Sequence, residues 1–411
     1  MKQEDKSLLR ELAKKYMEKA HDPVMDEKVN LWKALNRGKM VRPMVLIDQL
    51  PWNELNIGDE LVCAVEEPYW RGVEWRMRTD LFKLKYFPVD YVIDQFITLP
   101  KTFLYDTNGM KRQEHILASD KTNAVVSRKF DNQFEEYEDL EKIQKPKVEY
   151  FEKVSLEHYE QGLELFDGVA PVRLGGIMNF HLGVWDTITN FMGVENIYYE
   201  MADRPEFLLA IAEKMTASIL EAIDLVNELK LAGDHSNLCH CSHIYTDELL
   251  PEGGASRGAD TKNCWAFGLA QLFTAASPEL FEELEFPFVS KMAEKFGMIY
   301  YGCCDRLDDR LDIVKKIPNL KKVSCSPWSD RKAFAEKIGT EIVMSNKPTP
   351  TFMGTSHFDE AAIRKDLTLT RDLARENNVN LEFILKDIST VLYEPERLTK
   401  WADIAMEVVN S

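Results

Sequence analysis

The hydrophobic pattern changes character along the chain, and the second half is the easier to read. From Ser277 onward, apolar stripes at helical spacing alternate with short apolar runs. Ser277-Pro278 has the form of an N-cap followed by proline at the first helical position. Leu280, Phe281 and Leu284 continue that stripe, Pro287 splits it, and Phe288, Met292 and Phe296 resume it. Gly297 is placed to end the segment as a left-handed cap. The run 298–304 reads as a buried strand, and 305–317 as a helix with Leu307, Leu311 and Val314 on one face, stopped by Pro318. The unit then repeats. Strands are predicted at 322–327, 341–345 and 381–385, and helices from a Ser329 cap to Gly339, over 358–376, and through Leu398, Trp401, Ala405 and Val408. Four strand-then-helix units in succession imply a parallel sheet.

The first half is less regular. The N-terminus carries Leu8, Leu9, Leu12, Tyr16 and Met17 at helical spacing and no apolar core of a signal peptide. Strands are predicted at 41–48, 171–179 and 238–245. Asp203-Arg-Pro-Glu206 reads as a capping box opening a long helix with Leu208, Ile211, Met215, Ile219 and Val226 on one face. The polar stretch 106–147 reads as a surface insertion, and no linker divides the chain.

Charge and cysteine count narrow the class. A formal net charge of −18 opposes binding to nucleic acid, which needs a positive field. No apolar run reaches membrane-spanning length, so no membrane partner is expected. Seven cysteines without a signal segment are not a disulfide framework and place the protein in a reducing cytoplasm.

Several segments, in order, resemble the uroporphyrinogen decarboxylase superfamily. They are Arg42-Pro-Met-Val-Leu-Ile-Asp-Gln49, Met201-Ala-Asp-Arg-Pro-Glu-Phe207, and Ala275-Ala-Ser-Pro-Glu-Leu-Phe-Glu-Glu283 followed by Phe286-Pro287. The resemblance spans about 41–409 and implies a single (β/α)₈ TIM-type barrel over 1–411, with an N-terminal helical extension at 1–40. The decarboxylase branch grips porphyrinogen carboxylates with an arginine-rich loop after its first strand. Here that loop is Gln49-Leu-Pro-Trp-Asn-Glu54, without arginine.

The resemblance therefore points to the methyltransferase branch, in its corrinoid-linked, O-demethylase-like form, known from anaerobic metabolism. It implies transfer of a methyl group from a small donor, such as an aryl methyl ether, to cobalamin carried by a separate corrinoid protein. The zinc-dependent thiol-methylating members hold zinc with a His-x-Cys at the fifth strand end and a later Cys. Here the fifth-strand residues are Tyr301-Gly302-Cys303 and the later position is Lys386-Asp387. The alternatives are a decarboxylase of a small carboxylic acid on the same barrel, or a non-catalytic family member that binds a corrinoid. A homodimer is compatible with either.

Because barrel sites lie at the carboxyl ends of the strands, that rule nominates residues. Lys386, Asp387 and Cys303 are the candidates for catalysis. Asp48, Asn179, His181, Trp265, Gln271 and Trp328 are the candidates for binding substrate, with Asn346 and Lys347 at a further strand end. Trp265 and Trp328 are expected over a ring, with Lys386 and Asp387 at the polar end. On a strand, Cys239, Cys241 and His243 would share one face, and with Cys303 they form a candidate zinc set. Buried cysteines acting as small hydrophobes are the alternative reading of the same residues.

Overall fold

The structure, a computed structural model, describes residues 1–118, 126–177, 179–233, 237–249 and 260–411. Its centre is a parallel sheet of seven strands. In spatial order these are Met44–Ile47, Leu381–Leu385, Val343–Asn346, Leu320–Cys325, Met298–Tyr301, Trp265–Gly268 and Phe180–His181. Every neighbouring pair is parallel. Strands 44–47, 265–268, 298–301, 343–346 and 381–385 are buried at every residue. That explains why they are near-continuous apolar runs, since helices cover such sheets on the outside.

The register aligns the carboxyl ends. Ile47 faces Leu385, Gly268 faces Tyr301, Tyr301 faces Val323, and Cys325 faces Asn346. The residues that follow these positions therefore emerge together along one edge of the sheet.

Further backbone pairing lies beyond the two outer strands. Asp90 N–H donates to Val45 O at 2.9 Å. Ile97–Pro100 pairs in parallel with Val172–Gly175, and Ile177 bridges Ala232.

The N-terminal segment forms two helices, Gln3–Ala20 and Pro23–Asn36, the second capped by the Asp22 carboxylate. This segment is tied to the core. Trp32 is fully buried and donates its indole N–H to Asp90 O, and Asn36 donates its amide to Tyr245 O. Among the described residues, no helix is long and apolar enough to cross a membrane.

The structure corrects several expectations, each for a local reason. The helix expected over 305–317 is reduced to Leu311–Val314. Polar side chains instead bind backbone groups outside the segment: Asp305 accepts from Cys303 N–H, and Arg310 donates to Phe273 O and Ala276 O. Asp330, rather than Ser329, caps the Arg331–Ile338 helix. Asp203 closes the helix Val194–Asp203, and Pro205–Glu228 begins without a side-chain cap. Pro287 does split its segment, into Pro278–Leu284 and Phe286–Ala293. Gly297 has no left-handed cap role, because its φ is not positive. A Cβ there would lie 2.2 Å from Lys262 O, so close backbone approach demands glycine. The 106–147 stretch contains the hairpin of Glu114–Leu117 with Ser127–Phe130, whose Ile116 and Leu117 are exposed.

Candidate active site

Two strand ends build the centre of the site. After strand 298–301 the chain turns at Gly302, with φ +89°, where a Cβ would meet Leu307 Cδ1 at 2.6 Å. This turn sets Cys303 and Cys304 on the carboxyl edge. After strand 381–385, Lys386 and Asp387 leave the same edge. Lys386 Nζ lies 2.8 Å from Cys303 Sγ and 2.8 Å from Asp387 Oδ2. Cys304 Sγ lies 3.7 Å from Cys303 Sγ and 3.1 Å from Asp387 Oδ2, so its one hydrogen is within reach of either. The three residues expected to carry chemistry are thus in direct contact.

Their electrostatics are mutually reinforcing. The hydrogen bond from Cys304 holds the Cys303 thiol at about 3, far below its ordinary value, against the opposing effect of burial. The neighbouring His240 and Lys386 add to that depression. Burial would lower Lys386, but Cys241, Cys303 and Asp387 outweigh it and raise the ammonium. Cys303 is a thiolate at neutral pH, and thiolates are both nucleophiles and soft metal ligands.

The 238–245 segment is not a strand. Leu238–Cys239 and Ser242–His243 form a tight antiparallel hairpin, with His240 at φ +55° in its turn. The alternation that would align Cys239, Cys241 and His243 is therefore broken. Cys239 Sγ is 4.0 Å from Asn179 Oδ1, and burial pushes its thiol up. Burial also pushes Cys241 up, yet Lys347, His240 and Lys386 outweigh it and hold the thiol below its ordinary value. His243 is buried, and burial pushes it down to about 3, so it is neutral. Its Nδ1 faces Asn237 O at 2.8 Å and its Nε2 accepts from Val92 N–H at 3.0 Å, leaving neither nitrogen for a metal. The expected set of Cys239, Cys241, His243 and Cys303 does not assemble. Among the described residues, the ligand atoms that gather are those of Cys303, Cys304 and Asp387, within 4.8 Å of one another.

The residue the alternation rule passes over is His240. Its ring stacks on Phe267 at 3.8 Å and 7°, and its backbone N–H donates to Asn179 Oδ1 at 3.2 Å. Burial alone would lower its pKa, but Cys241 and Cys303 outweigh that and raise it to about 9. His181 lies beside Phe267, with ring centroids 5.6 Å apart. Asn179 and His181 are both exposed. The Cys-His-Cys sequence carried the signal for His240, but only a turn brings the middle residue to the site.

Beneath the edge lies a polar network inside the sheet, of which sequence reasoning nominated only Lys347. Lys322 Nζ pairs with Glu382 Oε2 at 2.6 Å, both side chains fully buried. Ser345 Oγ donates to Glu382 Oε1 at 2.5 Å and meets Tyr300 OH at 2.7 Å. Lys347 donates to both Tyr300 OH and Ser345 Oγ, and Tyr300 OH lies 3.7 Å from Cys241 Sγ. Glu382 stands within the otherwise apolar run Leu381–Leu385, which is the one signal that could have found the pair.

The remaining nominated residues fall elsewhere. Trp265 opens its strand, so it sits at the amino end, buried and away from the carboxyl edge. Trp328 is 73% exposed. The expected sandwich of a ring beneath Trp265 and Trp328 is therefore not formed. Asp48 pairs with Lys83 at 2.9 Å. Gln271 lines a pocket of about 430 Å³ with Asp186, Thr189, Asn190 and Tyr198. Burial, then the nearby Asp305 carboxylate, pushes Asp186 up to about 7, and burial pushes Asp305 up to about 6. The loop at 49–54 anchors the loop after strand 381–385, because Glu54 Oε2 accepts from Thr390 Oγ1, Val391 N–H and Tyr393 N–H.

No protein-family model and no curated protein matches the sequence. The fold, however, is shared. A methyltransferase from Methanosarcina mazei is similar to this chain in structure, with a TM-score of 0.52. The match covers 92% of this chain and 98% of that one at 12% sequence identity, and at that identity it establishes the architecture alone.

Proposed function

We propose that this chain is a methyltransferase that moves a methyl group from a small donor, with aryl methyl ethers as the leading class, to cobalamin on a separate corrinoid protein. The observation that carries the reading is the Cys303 thiolate held against Lys386 and Asp387 at the carboxyl edge of a sheet similar in fold to a methyltransferase. We read that sheet as a (β/α)₈ barrel, in which the pairings of Asp90, 97–100, 172–175 and Ile177 fill the interval between strands 44–47 and 180–181. Seven free cysteines support a reducing, cytoplasmic location.

Demethylation of an ether requires that negative charge developing on the leaving oxygen be stabilised. Cys303 and Asp387 keep Lys386 charged and fixed in direction, an arrangement suited to oriented electrostatic stabilisation. Two sulfurs and one carboxylate oxygen also suit zinc, so Cys303, Cys304 and Asp387 would hold the ion, with Lys386 withdrawn from Cys303. Zinc would supply Lewis acidity at the leaving atom. Protein purified without chelator is expected to carry about one equivalent of zinc, lost in Cys303→Ser. Elemental analysis showing no metal at wild-type activity removes this role.

The reading as a whole is tested by mixing the protein anaerobically with reduced cobalamin and a panel of methoxylated aromatics and methylamines. Methylcobalamin absorbance is expected with at least one donor. A small-acid decarboxylase is the second reading, favoured by Asp186 and Asp305, whose raised pKa values supply a proton store for a carbanion. Carbon dioxide release with no methylcobalamin from any donor would favour it instead.

A further inference from the structure

The loop that carries Asp387 is bent against its own backbone preferences. Asp387, Leu392 and Tyr393 have φ of +56°, +56° and +57°, and Gln49 on the loop it meets has φ of +51°. None of these residues is glycine, and a left-handed backbone is unfavourable for a residue with a side chain. Such conformations persist only where surrounding contacts over-determine them, and they gather at functional sites. The first of these residues places its carboxylate beside Lys386 and Cys304.

The contacts that hold this loop come from the chain after the first strand of the sheet. Ile388 N–H donates to Gln49 O at 3.3 Å. Glu54 Oε2 accepts from Thr390 Oγ1 at 3.0 Å, from Val391 N–H at 2.7 Å and from Tyr393 N–H at 3.2 Å. Thr390 Oγ1 accepts in turn from Leu392 N–H at 2.9 Å. One carboxylate oxygen therefore fastens the whole turn, directly or through Thr390. Its partners are neutral donors, and hydrogen bonds to an ionised acceptor are the stronger kind. Ile388 and Val391 are buried, so the loop is fixed on both sides of Ser389. Asp387 stands between that fixed turn and the end of strand 381–385, which leaves its backbone little room to rotate. Resting on the methyl-transfer reading, we propose that Glu54 is a positioning residue. Through the 388–393 loop it sets Asp387 against Lys386, and so fixes the direction in which the ammonium meets the leaving atom. Glu54 acts only through the loop and touches none of the reacting atoms.

The test uses the full chain with Glu54→Ala, Asp387→Asn and the two combined. Thr390→Val, which cuts one of the three bonds and leaves the carboxylate in place, repeats it under a milder perturbation. Crystal structures of the wild type and of each loop variant measure the separation of Lys386 Nζ and Asp387 Oδ2, with no substrate needed. That contact is expected to open beyond about 4 Å, the reach of an ion pair. In methyl transfer to reduced cobalamin, kcat is expected to fall by ~10-fold to 10²-fold in Glu54→Ala, the scale of a misplaced group. KM should stay within about two-fold, because the contact acts on the transition state. Adding Glu54→Ala to Asp387→Asn should cost under about two-fold more, since the carboxylate that Glu54 positions is already gone. A Lys386–Asp387 contact that stays closed in both loop variants overturns the proposal, and so do losses that multiply in the combined variant. If the wild-type protein transfers no methyl yet the contact opens in the loop variants, the positioning stands and the methyl-transfer reading falls.

Discussion

Replacing Cys303 by Ser is expected to reduce methyl transfer by about 100-fold or more, the scale at which loss of one oriented electrostatic partner is felt in an active site. The serine hydroxyl is neutral at any working pH, so Lys386 loses its contact with the Cys303 thiolate and keeps Asp387 at 2.8 Å. The pH dependence follows from the same contacts. The folded Cys303 thiol lies at about 3, below its unfolded value, so its thiolate is present above that pH and lost as pH falls through it. The stability this anion contributes is complete above the unfolded thiol pKa and disappears in the same acid window. The wild-type minus Cys303→Ser ultraviolet difference should therefore retain thiolate absorbance down to about pH 5, well below the range of a free thiol. Cys304→Ala removes the largest stabilising contact and Lys386→Met removes a neighbouring cation, so each should move loss of the band toward higher pH. Thiolate absorbance that fades through the ordinary thiol range in the wild-type protein would show that Cys303 is not the anion of the site.

Glu382→Gln is expected to lower stability by about 3–5 kcal/mol, because it strands a buried ammonium without its counter-charge. Lys322 and Glu382 are both fully buried and 2.6 Å apart. Ser242 Oγ also donates to Glu382 Oε2, so the carboxylate serves several partners at once. The acid side has a definite sign. Burial pushes Glu382 up, but Lys322 and Lys347 outweigh it and hold the carboxyl below its ordinary value. Its contribution is thus complete above the unfolded carboxyl range and is lost as pH falls through the depressed value. The paired replacement Lys322→Met with Glu382→Leu should recover most of the loss, since two apolar groups leave no unpaired charge. Urea unfolding midpoints measure all three variants. A single substitution costing under about 1 kcal/mol would mean that water reaches the pair, as at a surface salt bridge.

The strength of the sequence reading depended on how far each signal was local. Strand 381–385 and the helices at 360–376 and 396–409 were legible because each combines an apolar period with its own stop. The same periodicity brought out Cys303, Lys386 and Asp387. They directly follow buried runs, and parallel strands in register place such residues on one edge. Trp265 failed the same rule because the strand begins at that residue rather than ending near it, and sequence alone does not separate the two ends of a four-residue strand.

Other features depended on contacts that no local pattern encodes. Residues 238–243 alternate well enough for a strand, but Asn179 holds the His240 backbone and Val92 occupies the His243 ring, so a hairpin turn replaces the extended chain. The helix expected at 305–317 gave way to side chains bonding backbone groups brought near only by folding, as Arg310 does at Phe273 and Ala276. Lys322 and Glu382 find each other across 60 residues of sequence. By itself the sequence determined the alternation of strand and helix and the chemistry available at the strand ends, because hydrophobic period and capping act within a few residues. Only the tertiary structure decided which of those groups meet. Burial, ion pairing and the turn at His240 depend on distances between distant segments, and those distances come into being when the sheet is assembled.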